Sequence, residues 1–485
     1  MLFNSLEFLL FFPLVMGLYL ACPDRYRWVL LLAASYYFYA AWKAEYVLLL
    51  VAATLIAYGA ALQMARTERR SVRLTLLLIS VLSNLAILLV FKYFNFFSDS
   101  LRAVLAQANI FYDNPLFEVL LPVGISFYTF QIIGYSIDVY RGRLEPERHL
   151  GYFALFIAFF PQLVAGPIER AAHMLPQFRQ RFELDAARLT GGLQLVLWGL
   201  FKKVVIADRL GLYVDAVYNQ PTTYAGWPIL VATFFFAFQI YCDFSGYTDI
   251  ALGLARMMGF NLMQNFKQPY FATSPVDFWR RWHISLSTWF RDYLYIPLGG
   301  NRVAVGRWYV NLFIVFLVSG LWHGASWTFV IWGGLHGLYV IAEVATQRAR
   351  TTLAKRLGLN RWPGLVTAGS RFFTFALICL TWLFFRANSV EEAAVLLMRL
   401  FQLTNPAEIN APWLAAVPDP TQQMSLALGL IGLLLAVQLA QIQGWQRPDI
   451  YRRSVWLRWA TYLFLTLSIL NLGVTSEVPF IYFQF

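Results

Sequence analysis

Long apolar runs separated by short polar loops dominate this chain, and run length sets the first inference. A helix crossing the hydrocarbon core of a bilayer needs about 20 mostly apolar residues, each rising 1.5 Å. The runs Leu6–Ala21, Trp28–Trp42, Tyr46–Met64, Leu74–Phe97, Phe117–Ile137 and Leu189–Leu210 predict such helices. So do Pro228–Leu254, Trp308–Leu321, Trp327–Val344, Phe372–Phe385, Met424–Ile442 and Ala460–Val474. A shorter run, Leu150–Val164, contains Pro161 and is followed by the pair Gly166-Pro167. The pattern gives about 11 to 13 membrane segments, some too short to cross alone. An all-α polytopic membrane protein is expected, as one membrane-embedded domain over residues 1–485, because no polar or Gly/Ser-rich stretch is long enough to be a linker.

The loops predict orientation. Arg66, Arg69, Arg70 and Arg73 face only Glu68, which marks a cytoplasmic loop by the positive-inside rule. Arg348, Arg350, Lys355, Arg356 and Arg361 form a second basic loop, and Arg447, Arg452, Arg453 and Arg458 a third. Alternating spans from these anchors put both termini on the outer, periplasmic side. The alternation fails only between Gly151 and Met257, and treating Leu150–Pro167 as re-entrant restores it. Irregular backbone at membrane depth is tolerated only inside protein or along a cavity, so this stretch points to a pocket.

Composition agrees. The chain is 59% hydrophobic and 13% charged, where soluble domains average about 25% charged, so it lacks the charge to cover soluble domains. The net charge of +12 sits in loops and makes no continuous stripe for nucleic acid. Cys22, Cys242 and Cys379 show no metal or disulfide spacing. The first 22 residues have no basic n-region or A-x-A site and read as a retained helix.

Charged groups inside spans are costly and mark interior or cavity positions. Lys202 and Lys203 interrupt Leu189–Leu210, with Asp208 and Arg209 after them, and Asp243 and Asp249 lie in the next span. Mutual bracing and a polar interior both fit. The block from Asp277 to Arg302 is aromatic, basic and amphipathic, and topology puts it on the cytoplasmic face. It is either an interfacial helix or a platform on which Trp279, Arg280, Arg281, Trp282 and Arg291 bind an anionic acyl donor.

His323 stands between two apolar runs, flanked by Gly320 and Gly324. The run Trp308–Leu321 would rise only about 21 Å, which predicts that His323 lies inside the membrane, as a structural residue or a catalyst. His336, about 20 Å further along a helix, cannot share a metal with His323 unless the segment folds back. His149 and His173 lie in loops. No GxSxG, HExxH, Walker A or dinucleotide-binding pattern occurs. Acyl transfer from a thioester to a hydroxyl needs none of them, since one histidine as general base suffices.

With both His283 and His323 in view, the chain resembles the bacterial membrane-bound O-acyltransferases, most closely those that acetylate alginate and their relatives acting on cellulose and peptidoglycan. The residues that carry the resemblance are Pro122–Gln131, Ile137–Gly142, Phe160–Arg170, Tyr241–Asp249, Asp277–Arg302 and Trp322-His323-Gly324. Beyond about residue 390 only general character matches. The resemblance implies a ring of helices around a central funnel, with His323 as catalytic base and His283 as the second characteristic polar residue. It makes Lys202, Lys203, Asp243, Asp249, Ser319 and Trp322 candidates for lining the tunnel. It further implies an acetyl-CoA or carrier thioester as donor, with no resident cofactor or metal. Periplasmic or membrane-anchored partner proteins and a polysaccharide acceptor such as alginate are expected, in a bacterial inner membrane. The competing class is an acyl or lipid transporter of flippase type. It would also explain the intramembrane charges, but the two halves show no inverted repeat.

Overall fold

The computed structural model describes residues 1–112, 121–164, 166–402, 404–414, 419–444, 454–474 and 479–481. The start of the predicted run Phe117–Ile137, and Arg447, Arg452 and Arg453 of the third basic loop, lie outside them. The regular elements among the described residues are all helical. Nine helices there are long and apolar enough to cross a membrane: Tyr46–Arg66, Arg70–Gln107, Ala186–Tyr218, Trp227–Met257, Val305–His323, Trp327–Arg356, Pro363–Arg386, Pro420–Ile442 and Val455–Leu472. Large apolar side chains such as Leu48, Phe372 and Leu470 are more than two thirds exposed, at 72%, 76% and 73%. Such a surface requires lipid as its solvent, and the protein is a multi-pass membrane protein.

The chain forms two compact units, Met1–Gln194 with Ala251–Met263 and Leu195–Ile250 with Gln264–Phe485. In the first, the stretch expected to be re-entrant is a helix of 9 residues, Leu150–Ala158, and a second of 4, Phe160–Leu163. The first rises only about 14 Å. Phe159 leaves the helical region, and Pro161 fits the first turn of the new helix, where its missing N–H costs nothing. The broken backbone is repaired by side chains. Ser35 Oγ accepts from the Phe160 N–H at 3.1 Å, and Gln162 Nε2 donates to the Phe156 carbonyl at 2.6 Å. Every residue from Phe153 to Leu163 is buried.

The Pro122–Gln131 motif has a backbone cause. Gly124 caps the helix Ile125–Tyr140 with φ +75°, and a Cβ there would meet the Leu163 carbonyl oxygen at 2.5 Å. Only glycine takes that conformation at that approach without strain. The Glu169 of the second motif is buried and bridges two groups. One carboxylate oxygen accepts the Met263 N–H at 2.5 Å, and the other lies 2.8 Å from His173 Nδ1. His149 caps the helix Leu150–Ala158, its Nδ1 accepting the Tyr152 N–H.

In the second unit, residues Phe201–Ala207 form a π-helical stretch inside a longer helix. Such insertions widen the turn and often occur at functional sites. This one carries Lys202 and Lys203.

Candidate active site

His323 is the last residue of the helix Val305–His323. That helix is longer at both ends than the apolar run Trp308–Leu321 and rises about 28 Å. The expectation of a span too short to cross is therefore corrected, because polar Arg307 and the terminal Trp322 and His323 also belong to the helix. The chain turns at Gly324 and restarts at Trp327, where Ser326 caps the new helix by accepting the Thr328 N–H. The two helices touch backbone to backbone. A Cβ on Gly320 would meet the Phe329 carbonyl oxygen at 2.3 Å, and one on Gly333 would meet that of Phe316 at 2.3 Å. This contact seats the histidine, which is 2% exposed, against the returning helix.

The His323 ring has a defined tautomer. Nδ1 lies 2.6 Å from the Ser319 carbonyl oxygen. A carbonyl can only accept, so Nδ1 carries a proton, and in the neutral ring the lone pair is on Nε2.

His283 adopts a left-handed backbone, φ 44° and ψ 54°, at the start of the helix Ile284–Phe290. For a residue with a Cβ this costs energy that the surroundings must supply. Asn265 supplies it. Its carbonyl accepts the Ile284 N–H at 3.0 Å, and its side-chain oxygen takes the Ser285 N–H at 3.1 Å and hydroxyl at 2.8 Å. The His283 ring is fully buried. Its centroid lies 4.7 Å from Phe244, 5.8 Å from Trp322 and 6.3 Å from His323.

The intramembrane charges are paired. Lys203 Nζ lies 2.7 Å from both Asp208 and Asp243, and Lys202 Nζ lies 3.0 Å from Asp249 and 2.7 Å from Ser245 Oγ. Both lysines, Asp208 and Asp243 are at least 95% buried, so each buried cation meets a carboxylate inside the bundle. One further partner has no local signal in the sequence. The Ile481 N–H, close to the chain's end, donates to Asp243 Oδ2 at 2.9 Å, and Phe480 packs on Tyr247 and Phe244. Ser319 and Trp322 are buried within one helical turn of His323.

The cationic block divides in two. Arg280 is exposed, Arg291 keeps 59% of its side chain exposed beside Asp292, and Arg281 is tied to Asp277 at 2.8 Å. Trp279 and Trp282 instead enter the aromatic core. Trp282 is fully buried and stacks on Phe278 at 5.5 Å, and Trp279 donates from Nε1 to His336 Nδ1 at 3.2 Å. The amphipathic pattern shows the arginines' face correctly but not how far the tryptophans sink. The turn after His323 also folds the chain back, which sets the Trp332 ring 4.8 Å from His323, with His336 one helical turn beyond it and 4.8 Å from Trp332.

Residues 148–387 match the family model of the membrane-bound O-acyltransferases. The chain is 41% identical to a probable alginate O-acetylase of Pseudomonas putida, over all of both chains. It is 33% identical to a peptidoglycan O-acetyltransferase of Helicobacter pylori, over 94% of this chain and 91% of that one. A teichoic acid D-alanyltransferase of Streptococcus thermophilus is 30% identical over 54% of this chain and 68% of its own. The matched region contains His283, His323 and the arginine block, and the full-length likeness extends to both ends. The chain is an acyltransferase and belongs to the membrane-bound O-acyltransferase family.

Proposed function

We propose that this protein carries out the membrane step in O-acetylation of an exported polysaccharide, taking the acetyl group from a cytoplasmic thioester, either acetyl-CoA or an acyl carrier. His323 acts as general base. Its Nε2 takes the proton of the acceptor hydroxyl as oxygen bonds to the acetyl carbon. The carbon–sulfur bond breaks, and the thiolate leaves and is reprotonated. The observation that carries this reading is the bond from His323 Nδ1 to the Ser319 carbonyl. It holds the ring in the one neutral tautomer that presents Nε2 as an acceptor, the role a carboxylate plays for the histidine of hydrolytic triads.

The full-length relatives favour alginate as the polymer, since a probable alginate O-acetylase is more similar, at 41% identity, than the peptidoglycan enzyme at 33%. Arg280 and Arg291, exposed on a cytoplasmic face, receive the donor's phosphates, and partner proteins on the outer side complete delivery to the glycan. The host membrane is the bacterial inner membrane, with both termini in the periplasm. The test is incubation of the purified protein with a labelled acetyl thioester. Release or transfer of label supports the reading, and thioester binding without turnover refutes it.

A further inference from the structure

His336 is fully buried on the helix Trp327–Arg356, and both of its ring nitrogens are engaged. Nδ1 lies 3.2 Å from Trp279 Nε1 and Nε2 lies 3.0 Å from Thr381 Oγ1. An indole nitrogen only donates. Nδ1 therefore accepts, and the neutral ring carries its proton on Nε2 and gives it to Thr381. The Thr381 hydroxyl donates onward to the Ile378 carbonyl at 2.8 Å. Every donor and acceptor in the chain Trp279, His336, Thr381, Ile378 is thus assigned. The His336 tautomer is opposite to that of His323, and with both nitrogens committed it has none left for an acceptor hydroxyl.

Between the two histidines lies Trp332, itself fully buried. Its ring centroid is 4.8 Å from His323 and 4.8 Å from His336, edge-on to both. An apolar ring would fill the His336 site at less cost than a polar one, because buried polar groups destabilise unless satisfied. A fully satisfied network gives rigidity in return. We propose that His336 is a positioning residue for acyl transfer. Held by Trp279 on one side and by the helix Pro363–Arg386 on the other, it fixes the plane of Trp332, and Trp332 fixes the imidazole of His323. This inference rests on the reading of His323 as the base.

Thr381→Val removes the acceptor of the Nε2 proton at nearly constant volume, and Thr381→Ser keeps it. Acetyl transfer from a labelled thioester is measured on the full-length protein in nanodiscs, per mole of folded protein, beside the melting temperature. Thr381→Val is expected to lower kcat about tenfold to a hundredfold, the scale of a misplaced catalytic group, with donor KM unchanged. Thr381→Ser should restore kcat. If Thr381→Val fails to accumulate, Thr381→Cys, with its weak donor and acceptor, takes its place. A fall in melting temperature with unchanged kcat overturns the proposal and leaves His336 a brace. His323→Gln in the same assay separates the two readings. Inactive His323→Gln with unimpaired Thr381→Val overturns positioning alone, whereas active His323→Gln overturns the base assignment beneath it.

Discussion

The imidazoles of His283 and His323 lie 6.3 Å apart, centroid to centroid, and meet at 75°. They are 0% and 2% exposed, so the protein encloses both in one buried place. The relation limits mechanism. Under the proposed function, the acetyl carbon and the acceptor hydroxyl both come to this place.

The two histidines contribute differently. His283 holds a left-handed backbone that asparagine tolerates better than most residues. His283→Asn is therefore expected to accumulate normally and to lose about a hundredfold in kcat, the scale of a disturbed geometry at the reacting centre. Wild-type kcat in that variant would reduce His283 to a backbone role.

Lys203 is the sole cation bonded to both Asp208 and Asp243 in the described ion pairs. Lys203→Ala leaves two buried carboxylates facing each other. Removing one partner of a buried ion pair costs about 3–5 kcal/mol. The variant should melt markedly lower in detergent, or fail to accumulate. An unchanged melting temperature would show that the cluster is not the brace its geometry indicates.

How much of this was legible in the sequence depended on how local the cause was. Tyr46–Met64 was read almost to its observed limits, Tyr46–Arg66, because uniform apolar content defines a lipid-facing helix. Trp28–Trp42 instead begins at Asp24, since arginines and tyrosines near Pro23 mask the helix start. The pairing of Lys202 and Lys203 with acidic residues was foreseeable from their cost in a membrane. The π-helical turn that carries them was not, because it follows from tertiary packing. Distance along a straight helix keeps His336 away from His323 unless the segment folds back. Only the backbone contact of Gly320 with Gly333, which closes the hairpin, lays Trp332 on His323, with His336 one turn further along the same helix. The bond from Ile481 to Asp243 joins residues 238 apart in sequence, beyond any local pattern.

The arginines of the block from Asp277 to Arg302 should govern donor affinity. Arg280→Ala and Arg291→Ala each remove an exposed cation. Loss of one charge-assisted contact to a phosphate should raise donor KM about tenfold, with little change in kcat and a weaker effect at high salt. Arg281→Ala should do less, because its guanidinium is already held by Asp277. Unchanged KM in all three leaves them as headgroup anchors.

The re-entrant reading of Leu150–Pro167 fixes the side on which the following loop emerges. Ala171 is only 5% exposed and is a poor reporter, whereas Ala172 and His173 are exposed. A cysteine at Ala172 should react with a membrane-impermeant maleimide in inverted vesicles and not in intact spheroplasts. Labelling from the periplasm would make the stretch a full crossing.

Two variants at His323 decide whether its imidazole is the base. His323→Ala and His323→Gln are assayed for acetylation of the exported glycan, with membrane accumulation measured in parallel. Glutamine keeps bulk and hydrogen bonding but cannot take a proton at neutral pH, and general-base assistance is worth about 10²–10⁴-fold. Both variants are expected to accumulate in the membrane, with acetylation lowered by that factor in each. Substantial activity in His323→Gln would contradict the base assignment and would make His323 a structural hydrogen-bonding residue.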